Sequence, residues 1–270
     1  MAETRMPIIT LTTDFGLTDH YVASIKGAIL EATTQVQIVD ITHDIPPHDI
    51  LAAAQVIRDV ARSFPPRTVH LVVVDPGVGT ARRPIIASAE NQYFLGPDNG
   101  VFSLIFESSD FSGAVHVTAT HYMKPDPSPT FHGRDIFAPV AAQLARGLGM
   151  ENFGEAIEDA VRIEPPRPKV TAEGLIRATV LRIDRFGNVI TNLSRASIDA
   201  LLQKFGKSQL RGGVGAAAIA EMRNTYAEGP GGTAFFLFNS TGQLEIAAHE
   251  ARASDLLKLK AGDALDIHLV

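Results

Sequence analysis

The feature that most constrains this chain is a change of pattern past its middle. From residue 7 to about 150, short Val/Ile-rich runs alternate with amphipathic stretches: IITLTT, YVASIKGAILEAT, VQIVDI, DILAAAQVIRDVARSF and TVHLVVV. Strands that read as unbroken apolar segments are covered on both faces, and intervening helices supply the cover, so this half predicts βαβ units. PIIASA and QYFLG read as further strands, DNGVFSLIFE as the opening of a helix, and GRDIFAPVAAQLARGL as a long helix beginning near Gly133. EPPRPKVTAEG, residues 164–174, is rich in proline and charge without periodicity, the composition of a linker. After it come LIRATVLRID, NVITNL, GGVGAAAIAEM, TAFFLFNS, QLEIAA and DALDIHLV, short strand-like runs punctuated by Gly, Asn, Asp and Ser. Their spacing predicts an all-β sandwich or barrel interrupted by one helix near SRASIDALLQKF.

Composition removes several function classes. The chain has no cysteine, so disulfides, a thiolate nucleophile and cysteine-ligated metal are out, and a reducing cytoplasm is the expected compartment. The 24 basic and 30 acidic residues are dispersed, giving a net charge of −6 and no basic cluster for nucleic acid. No apolar segment approaches a membrane span, so a soluble protein is expected.

In an open α/β sheet, ligands bind outside the carboxyl ends of the strands, which directs attention to the residues just after each apolar run. In TTDFGLTDHY, Asp14 follows a strand and suits the hydroxyls of a ribose, whereas Asp19 precedes a helical pattern and suits an N-cap or a mixed role. In VVVDPGVGTARR, Pro76 keeps Asp75 out of a regular strand, and Gly77 and Gly79 let backbone approach whatever fills the crevice. An arginine nearby would fix the Asp75 carboxylate; a structural Asp–Arg pair closing the loop is the plainer alternative. In DPSPTFHGRDIFAP, His132 lies before a helix start, where the helix dipole would depress its basicity. ITHDIPPHDI groups His43, Asp44, His48 and Asp49, a set that could bind a divalent cation. Its prolines and the lack of helical ligand spacing favour a structural loop, with Asp49 as an N-cap.

TTDFGLTDHYV, VVDPGVGTARR, GPDNGVFS, PTFHGRDIFAP, IDRFGNVITN and FNSTGQLEIA, taken together and in this order, resemble the S-adenosyl-L-methionine (SAM) hydroxide adenosyltransferases, relatives of the SAM-dependent fluorinases and chlorinases. The resemblance implies an α/β fold: an N-terminal α/β domain with a mainly parallel sheet (1–165), a linker of about 166–174, and a smaller C-terminal β-barrel domain (175–270). It implies a homotrimer with active sites at subunit interfaces. It further implies hydrolysis of SAM to adenosine and L-methionine by attack of water or hydroxide on ribose C5′, with SAM as substrate and no cofactor or metal. An Asp, an Arg and a His hold the nucleophile in that family; they fall on Asp75, Arg82 and His132, with Arg83 a rival to Arg82. By the same carry-over Asp14 binds the ribose, with Asp19 beside it, and Phe131 lines the ribose or sulfonium pocket. Asp184, Phe186 and Asn188 meet the methionine end, Asp184 pairing its ammonium, and Ser240 receives its carboxylate.

Departures from the halogenase pattern favour hydrolysis. Asp75 stands where the fluorinases have tyrosine, Gly133 stands where they have a halide-binding serine, and the insertion after Arg83 is absent. Thr241 replaces a halogenase arginine, which leaves the carboxylate of the substrate without its expected cation. The rival readings are a SAM-dependent chlorinase, a non-catalytic SAM- or adenosine-binding protein, and a His/Asp metallohydrolase.

Overall fold

A computed structural model describes residues 6–270 apart from 215, 216 and 220. The chain divides into two compact units, Met1–Glu164 and Pro165–Val270.

The first unit is built on β1 (Ile8–Thr13), α1 (Tyr21–Ala32), β2 (Gln37–Thr42), α2 (Ile50–Ala61), β3 (Val69–Val73), β4 (Pro84–Ala89), β5 (Gln92–Pro97), β6 (Phe111–His116), α3 (Ala138–Ala145) and β7 (Ala156–Ile157). They form one sheet in the order β2-β1-β3-β5-β4-β6-β7. β2, β1, β3 and β5 are parallel, while β4, β6 and β7 each pair antiparallel to their neighbours, so five of the seven strands run the same way. The period of two decides which helix each strand residue meets. Ile9, Leu11, Leu71 and Val73 pack with Ile25 and Ile29 of α1 and Val140 of α3. Val72 and Val74 face the other way, against Ala53 and Ile57 of α2 and the rings of Phe94 and Phe102.

Inside this sheet lies a polar trio that the apolar pattern hides. His70 is fully buried; its Nδ1 lies 2.8 Å from Thr10 Oγ1 and its Nε2 3.3 Å from Gln92 Oε1. The Gln92 amide in turn donates to the carbonyls of Ala61 (3.0 Å) and Phe64 (2.9 Å), tying β5 to the end of α2. Burial pushes the His70 imidazole down to about 4, so it is neutral.

Two helical expectations are corrected. DNGVFSLIFE forms successive turns rather than a helix, because Ser103 Oγ donates to the Gly100 carbonyl (2.7 Å) and accepts from Ile163 N (2.8 Å). A local side-chain bond of this kind competes with the helical ladder. GRDIFAP does begin a helix at Gly133, yet its first turn, Gly133–Phe137, is π-helical before α3. Pro139 has no N–H to give to the Asp135 carbonyl, and that carbonyl is taken instead by Lys124 N at 2.8 Å.

The second unit carries β8 (Lys169–Val170), β9 (Leu175–Ile183), β10 (Val189–Ser194), α4 (Arg195–Phe205), β11 (Leu210–Val214), β12 (Ala217–Ile219), β13 (Ala234–Phe238), β14 (Gln243–Ala248), α5 (Ala253–Leu257) and β15 (Ala264–Leu269). The run GGVGAAAIAEM, read as one strand, falls partly outside the described residues. Lys169 and Val170, within the stretch read as a linker, pair with β9. The sheet is antiparallel, in the order β12-β11-β15-β9-β10-β14-β13, and it curls around Ile176, Val180, Val189, Phe236, Leu244 and Ile246. The expected barrel does not close among the described residues. Beside β13 runs the short segment 221–223, joined to it among the described residues around Phe236 by Phe236 N→Glu221 O and Arg223 N→Phe236 O, both 2.8 Å, a seam too short for a ladder. No helix among the described residues is long and apolar enough to cross a membrane.

Candidate active site

β1 and β3 are neighbours in register, with Thr13 opposite Val73, so the residues that follow them emerge side by side at the same end of the sheet. Asp14 follows β1 and Asp75 lies two residues beyond β3. The third participant arrives on the 128–132 loop. Asp135, buried and bound by Arg134 at 2.7 and 2.8 Å, accepts Ser128 N at 2.9 Å and pins that loop against the helix start. The Arg134 guanidinium holds the Asp135 carboxyl below its ordinary value and also lies 4.9 Å over the Phe131 ring.

Asp75, Arg82 and His132 meet as one connected group. Arg82 Nε lies 2.9 and 3.0 Å from the two Asp75 oxygens, and its Nη2 bonds Asp75 Oδ2 as well. The same Nη2 lies 3.0 Å from His132 Nδ1. A guanidinium only donates, so His132 Nδ1 must accept, and the proton of the neutral ring then sits on Nε2. Burial lowers the basicity of His132 first and the Arg82 charge lowers it further. The expected depression is present, and burial and the Arg82 charge account for it. The guanidinium lies 5.2 Å over the Phe137 ring. Arg83 turns away: it binds Asp98 at 2.9 and 2.6 Å and Asp159 at 2.9 Å.

Asp14, Asp75, Phe131, His132 and Gly133 line one cavity of about 220 Å³ together with Phe15, His48, Val78 and Thr130. Phe15 and Tyr21 pack edgewise on Phe131 at 6.3 and 5.3 Å. Asp14 Oδ2 accepts His48 N at 2.9 Å, leaving Oδ1 for a ligand. His48 has φ 67, the left-handed region, and is held there by this bond. Asp19 caps nothing: α1 begins after His20 without a side-chain cap, and Asp19 is exposed. Gly79 is required by the fold itself. A Cβ there would lie 2.4 Å from the Pro129 carbonyl, so the 128–132 loop can pack this closely only against a glycine. In ITHDIPPHDI, Asp49 caps α2 by accepting Ala52 N at 2.9 Å. His43 Nδ1 lies 2.8 Å from Thr13 Oγ1 and its Nε2 3.1 Å from Asp40, which stitches this loop to the end of β1. No group of three or more candidate metal ligands occurs among the described residues.

The second unit holds its own cavity, of about 440 Å³, lined by Arg182, Asp184, Ile190, Asn224, Tyr226 and Glu245 among others, with Ser240 and Thr241 at its side. Asp184 accepts Phe186 N and Asn188 N at 2.9 Å and Asn188 Nδ2 at 3.0 Å, a closed turn that leaves one acceptor site on Oδ2. Phe186 projects from this turn, 76% exposed, and Asn188 is buried within it. Sequence reading missed Glu245 and Tyr226. Glu245 is 2% exposed and accepts the Tyr226 hydroxyl at 3.0 Å. Burial raises both groups, Tyr226 to about 12. A charged residue inside the apolar run QLEIAA was the available signal for Glu245; Tyr226, in an irregular loop, offered none.

Comparison with known proteins decides the family. The model of the SAM hydroxide adenosyltransferase N-terminal domain matches residues 9–154, and that of the C-terminal domain matches residues 178–266. The chain belongs to the SAM hydroxide adenosyltransferase family. Among its relatives is an (R)-S-adenosyl-L-methionine hydrolase of Salinispora tropica, 38% identical, with 97% of each chain covered. A fluorinase of Actinoplanes sp. is 31% identical over 95% of each. The crystal structure of an uncharacterized conserved protein from Thermotoga maritima superposes with a TM-score of 0.86 at 35% identity, covering 96% of this chain and 99% of that one. This SAM hydroxide adenosyltransferase thus matches both hydrolases and fluorinases over nearly its whole length.

Proposed function

We propose that this enzyme hydrolyses SAM to adenosine and L-methionine through a water held by Asp75, Arg82 and His132. The connected group at the end of β3, opening on the cavity shared with Asp14, is the observation that carries the reading. The hydrolase relatives agree with it.

The chemistry needs help on one side only. The water oxygen bonds C5′ as the C5′–S bond breaks, and the bonding pair goes to sulfur, which leaves as a neutral thioether. One water proton remains on the 5′-hydroxyl of adenosine and the other must be removed. That proton becomes strongly acidic as the C–O bond forms, so the Arg82-paired carboxylate of Asp75, a weak base, is sufficient to take it. Arg82 makes one contact to Asp75 Oδ1 and two to Oδ2, and a carboxylate has about four lone-pair sites, so acceptor capacity remains on Oδ1. His132 acts through Nε2–H as a donor that orients the water, because Nδ1 is committed to Arg82. Asp14 takes the ribose hydroxyls, Phe131 lies against the sugar and sulfonium, and Asp184, Phe186, Asn188 and Ser240 meet the methionine end. No metal or cofactor is required by this sequence of steps.

A cavity of about 220 Å³ lies below the roughly 300–1,000 Å³ of typical ligand pockets, so it suits the reacting part of SAM rather than all of it. We read the enzyme as a homotrimer in which the methionine-binding set comes from a neighbouring subunit, as the family resemblance implies. An anionic carboxylate at the nucleophile position disfavours halide. A Cβ at Gly133 would lie 3.0 Å from Ile25 Cδ1, so a serine there could enter only if Ile25 moved.

The test is incubation with each sulfonium epimer of SAM in chloride-free, chelator-containing buffer and oxygen-18 water, followed by mass spectrometry. Adenosine carrying the label at the 5′ oxygen, with methionine, is the expected result. Recovery of intact SAM of both epimers would overturn the reading, and 5′-chloro-5′-deoxyadenosine on adding chloride would replace it with halogenation.

A further inference from the structure

The 440 Å³ cavity of the second unit lies on the outer face of the sheet, and its floor is one row of directly opposed residues: Arg182 on β9, Ile190 on β10, Glu245 on β14 and Leu237 on β13. Strict alternation along β9 would not put Arg182 there. Ile176, Ala178 and Val180 all point into the core, and Arg182, two residues on, would follow them. A β-bulge intervenes: Ile190 pairs with Arg182 while Thr191 pairs with Val180, so Leu181 has no partner and every residue after it changes face. The bulge sends Ile183 inward, against the core beside Val189, and sends Arg182 outward to the cavity. Bulges that re-aim one side chain cluster beside functional sites.

The chemistry of the lining is that of an α-amino acid in negative. Arg182 is the basic side chain of the cavity wall, Asp184 and Glu245 are its acids, and Ser240, Thr241 and Asn239 supply uncharged polar groups. Glu245 sits between the apolar neighbours Ile190 and Leu237 with the Tyr226 hydroxyl on Oε1. Thr241 brings no charge, so a bound carboxylate has to find its cation elsewhere on this wall. We infer that Arg182, turned outward by the Leu181 bulge, binds the α-carboxylate of the methionine portion of SAM, with Asp184 and Glu245 facing its ammonium, and so makes the enzyme selective for the carboxylate-bearing sulfonium. This rests on the proposed function and adds to it a specificity-determining residue.

The experiment compares kcat/KM for SAM with kcat/KM for its analogue lacking the α-carboxylate, the adenosyl sulfonium bearing a 3-aminopropyl chain, in wild type, Arg182→Met and Arg182→Lys. Losing a charge-assisted contact should lower kcat/KM for SAM by roughly 10- to 100-fold in Arg182→Met, mainly through KM. Turnover of the decarboxylated analogue should stay within about threefold, and Arg182→Lys should recover part of the loss. An equal fall for both substrates, or no fall for SAM, overturns the inference; Arg182→Gln reads the same ratio should the methionine variant fold poorly. If wild type turns over neither substrate, the hydrolase reading itself fails, an outcome distinct from loss of selectivity alone.

Discussion

Replacing Arg82 by lysine isolates what the guanidinium fork contributes, because the charge opposite Asp75 is kept. Arg82 spans two partners: Nε and Nη2 hold Asp75 and Nη2 also reaches His132 Nδ1 at 3.0 Å, with the guanidinium plane 5.2 Å over Phe137. Both side chains of the ion pair are almost buried, 9% and 5% exposed, so solvent does not substitute for a lost donor. A lysine presents one compact ammonium and cannot serve both acceptors in this geometry. The specific loss is one hydrogen bond from a charged donor, about 1.5–3 kcal/mol, equivalent to roughly a 10- to 150-fold fall in kcat if it acts on the nucleophile in the transition state. The assay is initial-rate formation of adenosine from SAM by chromatography, with KM taken separately. KM should change little, since neither Asp75 nor His132 is assigned to substrate binding. Arg83→Lys is the matched control: its partners are Asp98 and Asp159, and kcat should remain within about threefold. A kcat for Arg82→Lys within about threefold of wild type, or an equal loss in Arg83→Lys, would refute the reasoning.

Four further outcomes follow from the same structure. The acid limb of kcat should have its midpoint below 6.5, because His132 is depressed by burial and by Arg82 and must stay neutral to accept from it; in His132→Gln that limb should disappear, and a limb unchanged in the variant would assign it to another group. Asp14→Asn keeps an acceptor for His48 N while weakening the bond to a ribose hydroxyl, so KM for SAM should rise about 10-fold with kcat nearly unchanged, and a loss confined to kcat would contradict a binding role. His70 has a folded value of about 4 against 6.5 unfolded, so the unfolded chain takes up the proton first as pH falls; stability is present above 6.5 and about 3 kcal/mol is lost on going down to 4, a slope that urea titrations should find missing in His70→Gln. Gly79 and Gly242 both have φ +77, but only Gly79 faces a carbonyl 2.4 Å from its would-be Cβ, so Gly79→Ala should lower the melting temperature well beyond Gly242→Ala, which bears the backbone strain of about 1–3 kcal/mol alone.

Much of the fold was legible because it rests on local periodicity. Unbroken apolar runs marked β1 and β3, and the residues after them are Asp14 and Asp75, placed side by side by parallel pairing. Asp49 was recognisable as a cap because capping is a contact three residues long, and its acceptor bond to Ala52 N is present. Where the reading went astray, a distant group had intervened. Ser103 took the carbonyl that a helix needed and was itself engaged by Ile163, sixty residues away. Among the described residues the barrel stays open, because closure depends on how β13 meets a segment that pairs with it only briefly.

By itself the sequence determined the alternation of strands and helices, the change to short antiparallel strands, and the chemistry waiting at the strand ends, all of which depend on residues within a few positions of one another. Only the tertiary structure decided which guanidinium serves Asp75, since Arg82 and Arg83 are adjacent in the chain and diverge because Asp98 and Asp159 capture the second. It alone decided that His132 accepts rather than donates at Nδ1, because that role is imposed by Arg82, fifty residues earlier. It alone turned Arg182 away from the core, since a bulge is a mismatch between two strands and no single strand encodes it.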